Sequence, residues 1–112
     1  APSSAPARRS ARRAEAGIPR LLLVHHPDTF TAVPPFQIGL TLAGHTHGGG
    51  QVVFRKRDGV PEGLFSSRFI YPGGLFQERG CSLYVNRGLG YLGVPVRINC
   101  PPEISRFRLV RS

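Results

Sequence analysis

The heptapeptide Gly44-His45-Thr46-His47-Gly48-Gly49-Gly50 decides how this 112-residue chain is interpreted. The apolar run 38–43 before it predicts a β-strand, and in extended backbone the residues at i and i+2 point to the same side. His45 and His47 can therefore present two imidazoles to one small volume. The glycines allow backbone angles that other residues reach only at a cost, and they let a ligand approach the main chain closely. The stretch predicts a metal site with an open coordination position.

A second histidine pair, His25-His26, follows the apolar run 21–24, so that all 4 histidines of the chain lie between positions 25 and 47. Open α/β sheets bind ligands at the carboxyl ends of adjacent strands. We therefore expect the two pairs to meet at one edge of a sheet. The alternative is a structural histidine pair at a strand end, because short motifs also arise by chance.

Short apolar runs between Gly and Pro predict a chain that is mostly β. The predicted strands are 21–24, 36–43, 51–54, 81–85 and 104–110. The run 21–24 is apolar throughout, as in a strand that is covered on both faces. Loops are expected at 60–67 and 75–80, and Asp58-Gly59 is a hairpin signal. Pro27 keeps His26 extended, and we expect Asp28 to cap a short helical turn.

The composition limits the size of the fold. The chain has 112 residues, 40% of them hydrophobic, which suits one domain with a modest core. With 14 Gly and 11 Pro, long helices are not expected, and no apolar run approaches the length of a membrane span. We expect residues 1–17, rich in Arg, Ala, Ser and Pro, to form a disordered tail, and residues 18–112 to form the domain. Cys81 and Cys100 are expected to be buried free thiols, with a disulfide as the alternative.

The net charge of +9 favours anionic partners such as phosphate esters, nucleic acid or anionic lipid. Gly48 and Gly49 are candidates for close backbone approach to a substrate. Arg87 and Arg97, in or near Gly-rich and Pro-rich loops, are candidates for bidentate phosphate binding, with plain surface charge as the alternative. A different function class is also compatible with this charge, namely a non-catalytic basic module that binds nucleic acid or anionic lipid.

Five segments in order carry a resemblance to a known family. They are Leu-Leu-Val-His-His-Pro-Asp, Gly-His-Thr-His-Gly-Gly, Tyr-Pro-Gly-Gly-Leu-Phe, Tyr-Val-Asn-Arg-Gly-Leu-Gly and Val-Arg-Ile-Asn-Cys-Pro-Pro-Glu-Ile. Across roughly residues 21–111 the chain resembles the calcineurin-like metallophosphoesterases, in particular the bacterial branch of UDP-diacylglucosamine pyrophosphatase-like and membrane-associated phosphoesterases.

The resemblance implies a fold and a chemistry. The fold is α/β, here the C-terminal half of a four-layer α/β/β/α sandwich. The implied activity is hydrolysis of phosphate esters by a metal-activated water, with two divalent ions per complete site, Mn, Fe or Zn. His25 and His45 match ligands of one ion and His47 matches a ligand of the other, whereas His26 falls at a position that varies in the family.

The family's Asp-x-His, Gly-Asp and Gly-Asn-His motifs do not occur in this sequence. The bridging carboxylate of the two-metal site is therefore missing from it, and we expect the isolated chain to be incomplete as an enzyme. Half a sandwich is also expected to leave an apolar face open to self-association. The resemblance further implies a phosphate-ester substrate, and membrane association through an N-terminal segment that this sequence does not contain.

Overall fold

The computed structural model describes residues 18–90 and 95–110, so the expected tail at 1–17 lies outside the described residues. The strands are β1 (Leu21–Leu23), β2 (Leu40–Ala43), β3 (Val53–Arg57), β4 (Val60–Gly63), β5 (Gly74–Glu78) and β6 (Cys81–Val85). A four-residue helical turn, α1 (His47–Gly50), and two 3-10 helices (Pro27–Ala32 and Ser66–Arg68) complete the described elements. The chain is thus mixed α/β and mostly strands, as the sequence predicts. No helix in the described ranges has the length and apolarity that crossing a membrane requires.

A four-stranded sheet in the order β1-β2-β6-β5 forms the centre of the fold. β1, β2 and β6 run parallel, whereas β5 pairs antiparallel with β6. Leu22 lies opposite Thr41, which in turn lies opposite Leu83. Because the three parallel strands point the same way, the residues that follow each of them lie at one edge of the sheet.

One face of this sheet carries the hydrophobic core. Phe30, from the first 3-10 helix, packs there against the Tyr71 ring at 5.6 Å between centroids. Arg79 covers the other side of Phe30 with its guanidinium, 5.1 Å from the ring centroid, and donates to the Phe30 carbonyl at 2.7 Å. The buried core residues are Leu22, Phe30, Val33, Ile38, Ala43, Tyr71, Cys81, Leu83 and Val85.

Within the described residues the opposite face of the sheet is open at β1, which corrects the expectation of a strand covered on both faces. Leu21 and Leu23, on either side of buried Leu22, are 49% and 73% exposed. The run is apolar throughout, yet only one side of it meets a packed layer of this chain. The open face is the one that the incomplete sandwich predicts.

β3 and β4 form a separate two-stranded hairpin, as the Asp58-Gly59 signal predicts. Asp58 and Gly59 both have positive φ, 51° and 79°, as a tight turn between right-twisted strands requires. The expected loop at 60–67 is wrong in its first half, because Val60–Gly63 is a strand. Pro61 is tolerated there because a two-stranded sheet has only edge strands.

Two other loop and strand predictions are wrong at the ends of the sheet. The expected loop 75–80 is largely strand β5, which turns into β6 through Arg79 and Gly80 at φ 55° and 70°. The expected strand 36–43 begins only at Leu40, because the chain leaves Pro34-Pro35 with Phe36 at φ 59° and 82% exposed.

Two further predictions, a strand at 104–110 and a helix cap by Asp28, are wrong. The segment 104–110 forms no strand despite its alternation, because no described strand lies beside it to pair with. The first 3-10 helix begins at Pro27 and is capped by His26, whose side chain accepts from the Asp28 N–H, so Asp28 is not the cap. His26 itself is extended, φ −95° and ψ 120°, as Pro27 requires.

Cys81 and Cys100 are buried free thiols, as predicted.

Candidate metal centre

His25 and His45 meet at the carboxyl edge of the parallel strands. β1 and β2 remain hydrogen-bonded past their ends, through Val24 N–H to Leu42 O at 3.0 Å and Gly44 N–H to His25 O at 3.1 Å. This pairing brings the two imidazoles together, with His25 Nε2 3.1 Å from His45 Nδ1. The expected meeting of the two histidine pairs is therefore present for His25 and His45. The extended backbone predicted for 45–47 is wrong, because His45 and His47 both have left-handed φ, 72° and 53°.

The spacing of the two nitrogens suits two ligands of one ion. Zinc–imidazole bonds are about 2.0–2.1 Å long, so two nitrogens on one ion lie roughly 3–3.4 Å apart. A direct hydrogen bond between neutral rings gives a similar distance. The 3.1 Å separation of His25 Nε2 and His45 Nδ1 accommodates either arrangement without movement of the backbone.

The environment of His45 favours the neutral form of its ring. His26 stacks on it with centroids 4.5 Å apart, and His25 meets it edge-on at 4.9 Å. Partial burial lowers the pKa of His45 from its usual value of 6.5, and the charges of His26, His25 and His47 lower it further, against a smaller opposing effect of Asp28. A neutral imidazole has the free lone pair that a metal ligand needs.

His47 stands apart from this pair, on the turn that follows β2. Its φ of 53° is left-handed, an uncommon backbone conformation for a residue other than glycine. Its Nδ1 is buried and has no hydrogen-bond partner among the described residues. A buried imidazole nitrogen without a partner is costly, and ligation of an ion would satisfy it.

The described residues do not make a complete metal site. Within residues 18–90 and 95–110, no group of three or more His, Cys, Asp and Glu side chains is arranged so that it could hold a metal ion. The imidazole donors fit a metal centre, but the carboxylates that complete a two-metal site are not among them. The structure therefore fits part of such a centre.

Comparison with curated proteins shows which proteins this chain is similar to. The chain is 36% identical over 89 residues to an uncharacterized metallophosphoesterase of Bacillus subtilis, YkuE, a match that covers 80% of this chain and 30% of the relative. It is 36% identical over 97 residues to the phosphodiesterase YaeI of Escherichia coli, covering 86% of this chain and 34% of the relative. The chain is a homologue of the metallophosphoesterases.

A further relative is the UDP-2,3-diacylglucosamine pyrophosphatase LpxG of Chlamydia trachomatis, 32% identical over 105 residues, with 81% of this chain and 29% of the relative covered. These metallophosphoesterases are bacterial, and the matched part is the C-terminal portion of the calcineurin-like family, as the motifs predict. The chain spans about a third or less of the length of these relatives. No family model and no solved structure matches it.

Relatives named metallophosphoesterase imply the use of divalent metal ions in general. The glycines next to the histidines allow close packing of the histidine loop. A Cβ on Gly48, at φ 70°, would lie 2.2 Å from Cys100 Sγ, and one on Gly49, at φ 83°, 3.3 Å from Pro72 Cβ. Both glycines are buried, and the predicted substrate contact through their backbone stays a prediction.

Arg87, the other predicted substrate residue, lies beside the same loop. Its Nε donates to the Pro101 carbonyl at 2.8 Å, and its Nη1 lies 3.7 Å from a Glu103 carboxylate oxygen. Its side chain packs on Gly48, where a Cβ would lie 3.2 Å from Arg87 Cγ. These contacts hold the guanidinium in place near the loop, and phosphate binding by Arg87 stays a prediction.

Sequence reasoning missed several residues that hold the histidine loop. The buried Thr46 hydroxyl donates to the Pro72 carbonyl at 2.6 Å. The Gln51 side chain donates to Val96 O at 2.9 Å, and the Cys100 thiol lies against the backbone of His47. Thr46 lies inside the histidine motif, but its contact could not be read from it, because each of these contacts joins segments that are distant in the chain. Only the Asn-Cys-Pro-Pro-Glu-Ile segment of the family resemblance gave a signal for Cys100.

Proposed function

We propose that this chain supplies the histidine ligands of a divalent-metal phosphoesterase centre that hydrolyses phosphate esters. The observation that carries the proposal is the convergence of His25 Nε2 and His45 Nδ1, 3.1 Å apart, at the carboxyl edge of a parallel sheet. The similarity to metallophosphoesterases over 80% or more of the chain supports the same chemistry.

In the proposed site His25 and His45 bind one ion, and His47 binds a second. The position of His47 on a separate turn, with a buried nitrogen that lacks a partner, favours a separate ion for it. Imidazole ligands suit Zn, Fe and Mn sites. When bound, such ions activate a water for attack on phosphorus and neutralise the phosphoryl charge.

The chain's own residues prepare the site for this chemistry. The His26 ring holds one face of His45 by stacking, which fixes the direction of the His45 lone pair. His26 is itself fixed, because its Nδ1 accepts from the Asp28 N–H at 3.3 Å. Arg87, Gly48 and Gly49 are proposed to contact the phosphate group of the substrate.

The bridging carboxylate is proposed to come from outside the described residues. The relatives are roughly three times as long as the matched segment, since that segment covers only 29–34% of them. Two of these relatives are named a phosphodiesterase and a pyrophosphatase, which makes phosphodiesters and pyrophosphates the substrate classes to test first. The chain alone is expected to bind a metal ion more readily than it turns over substrate.

The first test is metal binding by the purified chain, measured by calorimetric titration with ZnCl2. We expect His25→Ala and His45→Ala each to reduce the zinc affinity at least about tenfold, because each removes a ligand. His26→Phe is the matched control: it keeps an aromatic ring against His45 and removes the nitrogens of an imidazole that is not a proposed ligand. Equal losses in all three variants, or no saturable zinc binding by the wild-type chain, would contradict the proposed site.

The second test is hydrolysis of bis(p-nitrophenyl) phosphate with added Mn2+, by the chain and by the double variant His45→Ala/His47→Ala. Turnover that disappears in the double variant supports a working site in which the carboxylates come from a second chain. If the wild type and the double variant are equally inactive although zinc binds at His25 and His45, the chain is a metal-binding part of a phosphoesterase rather than an enzyme by itself.

A further inference from the structure

The turn that carries His47 has an unfavourable backbone conformation that needs support from other segments. Four consecutive residues, His47 to Gly50, have φ of 53°, 70°, 83° and 94°, and Gln51 continues at 75°. Left-handed helical backbone is unfavourable for each residue that is not glycine, here His47 and Gln51. The turn has two internal hydrogen bonds, Gly50 N–H to Thr46 O at 2.8 Å and Gln51 N–H to His47 O at 2.9 Å. Contacts from outside the turn must supply the rest of its stability.

The segment around Cys100 supplies those contacts. Cys100 is 2% exposed, and its Sγ lies 3.5 Å from His47 O and 3.9 Å from Gly48 O. The thiol occupies the space that a side chain on Gly48 would need, so it packs against the turn next to His47. From the same segment, the Ile98 N–H donates to Gln51 O at 2.8 Å and fixes the end of the turn.

Arg97 in turn holds Cys100. Its Nη1 donates to Cys100 O at 3.1 Å, its Nη2 to Arg87 O at 2.7 Å and its Nε to Gly90 O at 2.8 Å. One guanidinium thus joins three backbone carbonyls of two loops. Arg97 appears in the sequence as a candidate phosphate ligand or a surface charge, but its donors are directed at the backbone of its own chain.

We propose that Arg97 and Cys100 are positioning residues for His47: Arg97 holds the Cys100 segment, and the Cys100 thiol holds the left-handed turn that directs the His47 imidazole. The proposal rests on the proposed function, in which His47 is a metal ligand. It assigns to two residues outside the histidine clusters the task of orienting one ligand, while His25 and His45 are oriented by the sheet.

The decisive measurement is amide hydrogen exchange of the full chain, followed by NMR. We expect Arg97→Ala to speed exchange of the Gly50 and Gln51 amides about tenfold or more, while the amides of Leu83 and Thr41 in the sheet stay protected, because only the turn loses its support. Arg55→Ala is the matched control, since Arg55 is an exposed arginine of the neighbouring hairpin that pairs with Glu62. Unchanged exchange at Gly50 and Gln51 in Arg97→Ala overturns the proposal.

Substitutions of Cys100 test the second step. Cys100→Ala removes the group under Gly48, and we expect the His47 ring resonances to broaden or split while those of His25 and His45 do not. Cys100→Ser restores a donor of similar size next to His47 O, and we expect it to recover one sharp set of His47 resonances. The same spectrum for all three forms contradicts a role for the thiol. If Arg97→Ala does not fold, this series together with Arg97→Lys, which cannot reach three carbonyls at once, still decides the question.

Zinc titration of the same samples separates this proposal from the proposed function. Where zinc shifts the His47 resonances, we expect Arg97→Ala to weaken that step roughly tenfold or more, the usual effect of losing a group that orients a ligand, and to leave the step at His25 and His45 unchanged. Zinc that shifts none of the three histidines refutes the proposed metal function. In that case the exchange data alone still decide whether Arg97 and Cys100 hold the turn.

Discussion

The two faces of the four-stranded sheet consist of similar side chains in different environments. On one face Leu22, Leu83 and Val85 are buried beneath the first 3-10 helix and Tyr71. The other face carries Leu21 and Leu23, on either side of Leu22 in β1, and Leu75 of β5, and all three are largely exposed. The difference shows that an apolar sequence favours burial of a strand, whereas the elements packed against the strand determine which of its sides is buried in this chain. The predictions below test that difference.

The largest effect is expected from the covered face. Leu83→Ala should lower the free energy of unfolding by about 3 kcal/mol, because it removes a fully buried side chain and leaves a cavity. Leu23→Ala, the matched change on the open face, should alter it by less than about 0.5 kcal/mol. Urea denaturation followed by circular dichroism measures both. Similar losses in the two variants would mean that the open face is covered in solution.

Glu103 is the next most important residue, because it holds the C-terminal segment over one part of the open face. Its carboxylate accepts hydrogen bonds from Tyr84, Ser105 and the Arg87 N–H. Hydrogen bonds to a charged group are worth about 1.5–3 kcal/mol, so Glu103→Gln should cost about 2 kcal/mol at pH 7. A variant as stable as the wild type would show that the segment is not anchored there.

The same substitution has a defined pH dependence. Burial alone would raise the pKa of Glu103, but hydrogen bonds from Ser105 and Tyr84 and the nearby Arg87 outweigh it and leave the pKa below its usual 4.5. A carboxyl with a lowered pKa stabilises the fold above its unfolded pKa, and this stabilisation is lost as the pH falls through the folded pKa. The stability gap between wild type and Glu103→Gln should therefore close in acid, as urea titrations at pH 7 and pH 3 will show.

A smaller effect is expected where Phe107 touches the open face. Its ring meets Tyr84 edge-on at 5.3 Å between centroids. Such pairs contribute about 0.5–1.5 kcal/mol beyond burial, so Phe107→Ala should cost about 1 kcal/mol. Ile104→Ala, at a residue that is 83% exposed in the same segment, is the control and should cost almost nothing. Thermal unfolding of both variants compares them, and an equal cost would mean that the segment packs differently.

A weak pH effect is expected at the carboxyl edge of the sheet, which both faces share. The pKa of His45 is lowered in the fold, so the unfolded chain binds its proton more readily than the folded chain does. Stability should therefore be constant above the unfolded pKa of 6.5 and decrease as the pH falls below it. His45→Asn should flatten this decrease between pH 7 and pH 5 in denaturation experiments without metal. A slope that is unchanged would assign it to another group.

The smallest effect on stability is expected from the double variant Leu21→Ser/Leu23→Ser on the open face, yet its effect on association should be clear. Both side chains are exposed, so the free energy of unfolding should hardly change. An open apolar face favours self-association, and sedimentation velocity should show less of it in the double variant than in wild type. Equal association of the two proteins would exclude this face as the contact.

Several features of the protein could be predicted from neighbouring residues alone. Local backbone preferences predict the strands β1 and β6 and the end of β2. They also predict the Asp58-Gly59 hairpin and the extended His26 before Pro27. The meeting of His25 with His45 also follows, because parallel strands place their carboxyl ends at one edge. The order of the motifs further predicted the relation to metallophosphoesterases.

Other features depend on contacts between distant segments, which local patterns do not contain. The strand β5 exists because Arg79-Gly80 turns it back onto β6. Residues 104–110 are irregular because none of the strands in the described ranges lies beside them. The tertiary structure likewise determines which face of the sheet is covered and which groups donate to Glu103. It also brings Arg97 to Cys100 and Cys100 to His47. Local propensity determines which backbone shapes are available to a segment, whereas burial and long-range hydrogen bonds determine which of them is kept.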